Sequence, residues 1–531
     1  MSFIDWKYPF FLAAVAVLYW QLPLRGRHWL LLVASYAFYA SWDPRFGALL
    51  LCSTTVDFFC TLALVGERRP LRHVLLASST PFAWVSLCHL GSMLAPPDQA
   101  SSLVAPPLAW VATAALPLLF TLAYPILWRL ESNRRRLGFL WLSIGTNLGV
   151  LAFFKYFNFF ANSLSNALSF SGIQAGWTLP TIILPIAISF YTFQSISYAV
   201  DVYKGRSNPA RSFVLFAAYL AFFPQLISGP IERVGKFLPQ FEIARIWRID
   251  HLHIGLRLLL IGCFKKVVVA DSCAILPNYA FDPATPLNWS WALLGSIAFA
   301  FQIYGDFSGY TDMAIGSARL LGIELSQNFR FPYLARGPSE FWQRWHITLS
   351  SWFRDYVYIP LGGNRHGMTR TLLNLWISML LAGLWHGAAW NFVLWGAWHA
   401  AILSLYRLPG LARMESGGTG WTQHFAVPLM WIWTLIGWVL FRSGDLTAIA
   451  RWFNGISTMD VTGALPSAGA WAWLSIHVLP LFAWQLACRR HGCESGLIHW
   501  PWPVRGVAYT LVIAAIASAA AGEQEFIYFQ F

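Results

Sequence analysis

Residues 341–367 read FWQRWHITLSSWFRDYVYIPLGGNRHG, and residues 372–390 read LLNLWISMLLAGLWHGAAW. Polar side chains in this stretch are embedded in apolar sequence long enough for a membrane. Two histidines, His346 and His386, lie among its tryptophans. A charged side chain at membrane depth costs about 2–3 kcal/mol or more, so an ionisable residue there indicates a functional site. Since histidine exchanges protons near neutral pH, the stretch predicts a membrane enzyme with a histidine-centred site.

The composition of the whole chain supports the same interpretation. Of the 531 residues, 57% are hydrophobic and 11% are charged, whereas about 25% of a soluble domain is charged. Apolar stretches of about 20 residues, enough for a bilayer core, recur along the chain. Thirty tryptophans and 41 phenylalanines supply aromatic anchors for the membrane interfaces. We therefore predict an all-α polytopic membrane protein, with residues 1–531 forming one transmembrane domain in contact with lipid.

The net charge of +13 is compatible with either nucleic acid or a membrane as partner. The basic residues cluster in short loops between apolar runs and form no stripe or tail, which is typical of the positive-inside pattern. We therefore expect no nucleic acid partner. The seven cysteines form no CxxC pair, and most lie in apolar runs. They predict neither a disulfide framework nor a metal site.

Fifteen apolar segments are candidate spans, and the first is interpreted as a retained helix because it has no cleavage site of small residues. They lie at about 8–23, 28–42, 46–66, 74–95, 106–128, 138–153, 180–200, 211–228, 252–271, 288–304, 372–385, 391–406, 425–442, 471–488 and 504–521. Among the first eight, every second loop is basic, whereas loop 94–102 has no Lys or Arg. This alternation places the amino terminus outside the cytoplasm and residues 131–136 inside it.

Two regions do not suit simple spans. Residues 221–230, AFFPQLISGP, contain two prolines and a glycine, which break helices. Residues 326–363 are too polar for a lipid-exposed span but aromatic enough for the interface or a funnel. We predict re-entrant or broken elements in both, since protein or a water-filled cavity must cover such backbone. The catalytic region is predicted at residues 326–390.

His386 lies in the sequence GLWHG at 383–387, whose glycines permit a bend or a close backbone approach. The run from Thr371 to Trp385 would extend about 22 Å, which puts His386 deep in the membrane. Arg370 before this run and Arg407 after it predict a hairpin with His386 near its turn. A lone histidine of this kind often only packs between helices. The aromatic, glycine-rich frame and the second histidine favour a functional role.

The surroundings of His346 leave two interpretations open. If residues 342–349 form one helix, Trp342, Trp345 and His346 share a face with residue 349. Arg344 and Arg354 could pair with an anionic substrate group such as phosphate. Alternatively, both could anchor the chain at the cytoplasmic interface.

A third polar segment, residues 302–312, ends the tenth candidate span. Asp306 and Asp312 are six positions apart, off a common helical face, and too few further ligands are visible for a metal site. We therefore expect structural bonds to backbone or arginine. The chain has no GxSxG elbow, Walker loop or HExxH motif, so nucleophilic serine catalysis lacks support.

Four segments resemble the membrane-bound O-acyltransferases, especially the bacterial branch that acetylates alginate. They are FFPQLISGPI (222–231), FQIYGDFSGYTDMAIG (301–316), FWQRWHITLSSWFRDYVYIPLGGNR (341–365) and GLWHG (383–387). Matches at 42–58, 184–205 and 526–531 extend the resemblance over most of the chain. It implies a multi-helix bundle with re-entrant elements and a central funnel. It also implies His386 as the essential histidine at the base of the funnel and His346 as the second family histidine. Residues 67–137 form a longer region than in alginate-type members, which predicts an inserted helix pair.

The resemblance implies transfer of an acyl group from a cytoplasmic thioester such as acetyl-CoA, and the expected acyl group is acetyl. The final acceptor would be an extracytoplasmic polysaccharide such as alginate, and the protein would lie in the bacterial inner membrane. A periplasmic or singly anchored acetyltransferase partner is expected to complete the reaction, and no permanently bound cofactor is expected. The residues assigned to catalysis are His386 and His346, and those assigned to donor or substrate binding are Trp385, Trp345, Arg344, Arg354 and Asp306. Two alternatives stay open, namely D-alanyl transfer in teichoic acid modification and a membrane transporter with a histidine-lined proton path.

Overall fold

The computed structural model describes residues 1–94, 107–173, 182–227, 229–416, 422–459, 465–488, 497, 500–519 and 526–527. Within these residues it contains helices and no β-strand, which confirms the all-α prediction. The chain divides into two compact units. Unit 1 comprises Met1–Leu252 and Ser317–Leu325, and unit 2 comprises His253–Gly316 and Ser326–Phe531. The single domain predicted for residues 1–531 stays a prediction.

Several helices are suited to a membrane by length and composition. Among the described residues, four are long and apolar enough to cross one, at Pro44–Leu64, Leu71–Gly91, Ser132–Phe170 and His424–Arg442. Shorter apolar helices lie at Leu116–Leu127 and Trp502–Ser518. Since a bilayer core needs about 20 apolar residues per span, these helices support a multi-pass membrane protein.

The helices of unit 1 largely follow the predicted apolar segments. They are α1 (Lys7–Gln21), α2 (Leu24–Ala40), α3 (Gly47–Leu64), α4 (Leu71–Leu94), α5 (Pro107–Leu127), α6 (Ser132–Leu151), α7 (Phe157–Phe170), α8 (Ile188–Tyr203), α9 (Phe213–Leu220), α10 (Phe223–Leu226), α11 (Val234–Phe237) and α12 (Pro239–Glu242). Residues 67–137 contain α4 and α5, and the insertion of this pair stays a prediction. Among the four candidate spans, the one that contains α3, Pro44–Leu64, is the most deeply buried, since 94% of its apolar residues and their neighbours are buried.

The predicted span at 138–153 is too short. A π-helical turn at Ala152–Tyr156 joins α6 to α7, so that one continuous helix covers Ser132–Phe170. Lys155 lies in this turn and donates a hydrogen bond of 3.4 Å to Ser189 Oγ. The charged residue that ended the apolar run in the sequence is thus accommodated by a local widening of the helix.

The predicted span at 180–200 begins later than expected. Helix α8 starts at Ile188, after Ala187 in a left-handed backbone conformation with φ 64°. Such a conformation is rare for a residue with a side chain and ends helical continuity. Residues 174–181 lie outside the described residues.

The break predicted near residues 221–230 is confirmed. Helix α9 ends at Leu220 and α10 begins at Phe223, with Pro224 in its first turn. The backbone N–H of Phe223 donates to Ser35 Oγ at 3.0 Å. A side chain therefore satisfies a backbone group that the broken helix exposes. Residue 228 lies outside the described residues.

Unit 2 carries the remaining helices. They are α13 (Ile249–Cys263), α14 (Ser272–Phe281), α15 (Trp289–Leu320), α16 (Pro338–Trp342), α17 (Ile347–Phe353), α18 (Gly367–His386), α19 (Trp390–Leu405), α20 (Pro409–Glu415), α21 (Thr422–Arg442), α22 (Leu446–Ser457), α23 (Ala468–Cys488) and α24 (Trp502–Ser518). The first residues of α13 and the last residues of α15 belong to unit 1. Helix α15 extends well beyond the predicted span 288–304. The polar segment 302–312 therefore lies inside a helix and does not end it.

Glycines explain how α15 carries that polar segment. A Cβ atom on Gly262 would lie 2.6 Å from the carbonyl oxygen of Gly309, and one on Gly316 would lie 2.8 Å from that of Gly255. Helices α13 and α15 thus approach more closely than any larger residues would allow. The π-helical segment Phe264–Asp271 continues α13 and carries the lysines that pair with the carboxylates of α15.

Helices α18 and α19 form the hairpin predicted around His386. Helix α18 ends at His386 and α19 begins at Trp390. The two helices meet at glycines, because a Cβ atom on Gly383 would lie 2.2 Å from the carbonyl oxygen of Phe392. A Cβ atom on Gly396 would lie 2.5 Å from that of Met379. The hairpin prediction is confirmed, and the close packing fixes the position of its turn.

Candidate active site

His386 lies at the carboxyl end of α18 and is 4% exposed. Three aromatic rings enclose its imidazole, with centroids 4.8 Å away for Trp395, 5.0 Å for Trp385 and 5.2 Å for Phe441. Each contact is close to edge-to-face, a favourable geometry for aromatic pairs. This apolar enclosure keeps water from the ring and strengthens electrostatic interactions near it.

His346 is held in an unusual backbone conformation. Helix α16 ends at Trp342, His346 is left-handed with φ 43° and ψ 54°, and α17 begins at Ile347. The expectation that residues 342–349 share one face of a single helix is therefore wrong. A left-handed residue other than glycine costs on the order of 1–3 kcal/mol and persists only where its surroundings impose it. His346 is fully buried, which satisfies that condition.

Trp385 brings the two histidines into one site. Its ring centroid lies 5.8 Å from that of His346 and 5.0 Å from that of His386. The two imidazoles, 40 positions apart in the sequence, thus contact the same indole. The two histidine segments therefore meet at Trp385.

Trp345 belongs to an aromatic wall beside His346. Its ring centroid lies 4.7 Å from that of Trp438, 5.0 Å from that of Phe329 and 5.9 Å from that of Phe341. Trp345 is 1% exposed, so it supports the site from behind. Its predicted role in donor binding, like that of Trp385, stays a prediction.

A cavity of about 240 Å³ opens beside His386. We call it the histidine cavity, and its lining comprises Trp342, Leu349, Ser350, Phe353, Arg354, Tyr358, Leu375, Ser378, Met379, Ala382, His386, Trp395, Leu403 and Arg407. On α18 the lining positions recur every three to four residues, so one face of the helix borders the cavity. From Leu375 to His386 this face extends about 16 Å.

The two predicted arginines have different surroundings. Arg344 pairs with Glu340 at 2.5 Å, one helical turn earlier in the chain. Arg354 lines the histidine cavity, and its Nε donates to Asp355 at 2.8 Å. This hydrogen bond to Asp355 raises the pKa of the Arg354 guanidinium, which keeps it charged. Of the two, Arg354 is therefore the one placed to meet a ligand in the cavity.

Asp306 is held by a buried ion pair. Lys266 Nζ lies 2.8 Å from Asp306 and 2.7 Å from Asp271, and all three side chains are nearly inaccessible. The backbone N–H of Ile527 donates to Asp306 at 2.6 Å. Asp306 therefore makes structural bonds, as expected. Its partners are a lysine and a backbone N–H, whereas an arginine or a backbone group was predicted. Asp312 is paired in the same way, with Lys265 at 2.6 Å.

Three further residues belong to the site but were not predicted as site residues from the sequence. His399 is 2% exposed, and its ring lies 4.7 Å from that of Trp395. Asn328 Oδ1 lies 3.2 Å from His346 Nδ1. Arg407 lines the histidine cavity but was used only as a topological marker. Only His399 had a local signal, because it follows Trp395 by one helical turn.

The arrangement combines acid–base groups with anion-binding groups. Two imidazoles lie in an aromatic enclosure, and the cavity that reaches one of them is also lined by two guanidinium groups. Among the residues that the structure describes, no group of three or more His, Cys, Asp or Glu side chains is placed to hold a metal ion. The site can therefore bind an anionic molecule along the cavity and exchange a proton at its inner end.

Known proteins share sequence similarity with this region of the chain. The model of the membrane-bound O-acyltransferase (MBOAT) family covers residues 210–444, which include both histidines and the histidine cavity. The probable alginate O-acetylase AlgI of Azotobacter vinelandii is 35% identical over 486 residues, covering 90% of this chain and 80% of that protein. The peptidoglycan O-acetyltransferase of Helicobacter pylori is 38% identical over 351 residues, covering 60% and 64%. The teichoic acid D-alanyltransferase of Bacillus subtilis is 27% identical over 236 residues, covering 42% and 58%.

Proposed function

The chain belongs to the membrane-bound O-acyltransferase family, and on that premise we propose that it serves the O-acetylation of an extracytoplasmic polysaccharide such as alginate. An acetyl group would leave a cytoplasmic thioester, with acetyl-CoA as the first candidate, and cross the membrane through this protein. The alginate O-acetylase relative supports the polysaccharide acceptor, since it matches 90% of the chain. The teichoic acid D-alanyltransferase relative matches 42%, which makes D-alanyl transfer the weaker candidate.

The observation that carries the proposal is the histidine cavity, which is lined by His386 and by two arginines. A thioester donor such as acetyl-CoA joins a long, flexible arm to phosphate groups. In this proposal Arg354 and Arg407 bind the phosphates, and the arm follows the apolar face of α18 to place the thioester near His386. Guanidinium groups suit this task, because they bind phosphate with paired hydrogen bonds.

His386 is proposed to act as general base. It takes the proton from an acceptor hydroxyl or thiol as that oxygen or sulfur attacks the thioester carbonyl. The new C–O or C–S bond forms, the C–S bond of the donor breaks, and the leaving thiolate receives the proton from the imidazolium. His346 is proposed to position the reacting groups, and Trp385, Trp345 and their aromatic neighbours exclude water.

The test of the proposed function uses the purified protein with labelled acetyl-CoA and an acceptor. The wild type is expected to transfer the label, and His386→Ala is expected to lose at least about 100-fold of that rate, since general-base catalysis contributes about 10²–10⁴-fold. The matched control is His253→Ala, which removes an exposed histidine of the same unit. Retention of more than about a tenth of the activity by His386→Ala would exclude general-base catalysis by this residue. Movement of protons or solutes without acyl transfer would favour the transporter alternative.

We further propose that a separate protein completes the reaction on the polymer. The partner would be a periplasmic or singly anchored acetyltransferase that takes the acetyl group at the outer face. Reconstitution with labelled donor and polymer, with and without the candidate partner, tests this proposal. Polymer acetylation is expected only when both proteins are present. Efficient acetylation by this chain alone would exclude the relay.

The proposed location is the bacterial inner membrane, with the amino terminus outside the cytoplasm and residues 131–136 inside. The basic residues of that loop support the orientation. The complementary prediction that loop 94–102 faces outside falls largely on residues 95–106, which lie outside the described residues. Single cysteines in the two loops, in a background without reactive cysteines, can be treated with an impermeant label on intact cells. Labelling of loop 131–136 would overturn the orientation.

A further inference from the structure

Asn328 contacts His346 and the start of the following helix at the same time. It is fully buried, and its backbone oxygen accepts the N–H of Ile347 at 3.0 Å. Its side-chain Oδ1 lies 2.9 Å from Thr348 Oγ1, 3.2 Å from the backbone N of Thr348 and 3.2 Å from His346 Nδ1. One residue therefore holds three consecutive residues, 346–348.

These bonds explain how His346 keeps its left-handed backbone. His346 is the residue before α17, a position where Ser, Thr, Asp or Asn usually caps the first free N–H groups. The imidazole makes no capping bond to the helix. Asn328 supplies two acceptors to the first two N–H groups of α17, and the carbonyl of His346 accepts the N–H of Ser350 at 3.0 Å. The cap is thus provided by a distant residue and not by the histidine ring.

The same contacts fix which ring nitrogen carries the proton. A backbone N–H can only donate, so the side-chain atom of Asn328 that faces the N–H of Thr348 must be the oxygen. An amide oxygen can only accept, so the hydrogen bond to His346 requires a proton on Nδ1. In the neutral imidazole Nε2 then carries the lone pair.

We infer that Asn328 is a positioning residue that holds His346 as the Nδ1–H tautomer, with the lone pair of the neutral ring on Nε2. This inference rests on the proposed function and deepens it. In this tautomer neutral His346 cannot polarise a thioester carbonyl through Nε2, because that nitrogen has no proton to donate. It can hold an O–H or N–H group of the acceptor or of the donor arm.

The surroundings of the ring suit this role. Phe307 lies 4.7 Å from it, Phe329 6.4 Å and Trp385 5.8 Å, as measured between ring centroids. These apolar faces restrict rotation of the imidazole but do not select a tautomer. Asn328 is the contact that makes the selection.

A double-mutant cycle tests the inference. We would measure kcat and donor KM for acetyl transfer from acetyl-CoA in the wild type, Asn328→Leu, His346→Ala and the double variant. Asn328→Leu is expected to lower kcat about tenfold or more and to change donor KM by less than about twofold. The double variant should be no slower than His346→Ala, because residues that act through one another are not additive. The inference would be overturned if the kcat losses of the two single variants multiplied in the double variant. Wild-type activity of Asn328→Leu would also overturn it.

Two conservative variants separate positioning from a merely structural role. Asn328→Asp keeps an oxygen towards Thr348 and His346, so it should retain kcat within about threefold. Thr348→Val keeps the shape and the backbone N–H but removes the hydroxyl donor. Its decrease in kcat should therefore be smaller than that of either Asn328 variant. If Asn328→Leu fails to give a monodisperse protein, the Asn328→Asp result decides. A loss of tenfold or more in folded Asn328→Asp would then reject the assignment of Oδ1 as the essential group.

The outcome also distinguishes this inference from the proposed function. Loss of transfer in His386→Ala with full activity in His346→Ala would leave the proposed function standing and remove the basis for Asn328 positioning. Absence of acetyl transfer in the wild type with every thioester donor tried would instead reject the proposed function.

Discussion

Each of the two units buries an ionisable side chain in a helix, but the surroundings of the two side chains differ. In unit 1, Asp57 on α3 is fully buried and receives hydrogen bonds from Ser143 Oγ at 2.5 Å and Asn147 Nδ2 at 2.9 Å. In unit 2, His386 is enclosed by aromatic rings and borders the histidine cavity. We call Asp57 and its partners Ser53, Ser143 and Asn147 the Asp57 cluster.

The difference separates a polar group buried in a packed interior from one that borders a cavity. Short polar side chains satisfy the carboxylate of Asp57 within a packed interior, which stabilises the contact between α3 and α6. Aromatic rings surround His386, and the histidine cavity borders its side chain. Burial of a polar group at membrane depth is therefore insufficient evidence of catalysis. Access through a cavity is the second requirement.

The largest expected effect comes from Asp57→Leu, which removes the acceptor of two buried donors. Each unsatisfied donor costs about 1–3 kcal/mol, so the loss of the acceptor for two donors should lower the free energy of unfolding by about 2–6 kcal/mol. Thermal unfolding of the purified protein, followed by loss of monodispersity, measures the change. Acetyl transfer per folded molecule should stay within about twofold of wild type. A tenfold loss of acetyl transfer in folded protein would show that Asp57 has a functional role. It would contradict the distinction drawn between Asp57 and His386.

Gly383→Ala should have the next largest effect, because its Cβ atom would lie 2.2 Å from the carbonyl oxygen of Phe392. Overpacking of this kind costs about 1–3 kcal/mol and would force α18 and α19 apart. We expect a lower melting temperature together with slower acetyl transfer, since His386 lies on the displaced turn. Gly410→Ala is the control, because a Cβ atom there meets nothing within 4 Å. Equal behaviour of the two variants would show that the spacing of the hairpin does not matter.

Arg407→Ala and Arg354→Ala should weaken donor binding without slowing the chemical step. Loss of one charge-assisted bond to phosphate, about 1.5 kcal/mol, corresponds to roughly a tenfold rise in donor KM, with kcat unchanged. Initial rates over a range of acetyl-CoA concentrations provide the measurement. Arg344→Ala is the matched control, since Arg344 pairs with Glu340 and is absent from the lining of the cavity. A fall in kcat with constant KM would contradict phosphate binding by these arginines.

Asp57→Asn should have the smallest effect. Asparagine keeps the size of the side chain and one acceptor oxygen for Ser143 or Asn147. The free energy of unfolding should therefore fall by about 1 kcal/mol. The melting temperature should lie between those of Asp57→Leu and the wild type, with normal acetyl transfer. A variant as unstable as Asp57→Leu would show that the negative charge, and not the hydrogen bonding, holds the cluster together.

Much of this could be predicted from the sequence, because apolar length and basic loops are direct consequences of the membrane. The hairpin at His386 followed from Arg370, Arg407 and the glycines around the histidine. The left-handed backbone at His346 had no local signal, since its cap comes from Asn328 in the preceding segment. Helix α15 was predicted too short for a related reason. Its two carboxylates indicated the end of a span. In the structure Lys265 and Lys266, 47 and 40 positions before their partners Asp312 and Asp306, pair with these carboxylates inside the helix.

The hydrogen bond between Asp306 and the backbone of Ile527 has a consequence for biosynthesis. The two residues are 221 positions apart. At about 5–20 residues per second, roughly ten to forty seconds of translation separate the insertion of Asp306 from the synthesis of its second partner. During that interval Lys266, which is made earlier, is the partner that neutralises the carboxylate in the bilayer. A ribosome that stalls in this window would leave a chain in which Asp306 has its lysine partner but not the backbone N–H of Ile527.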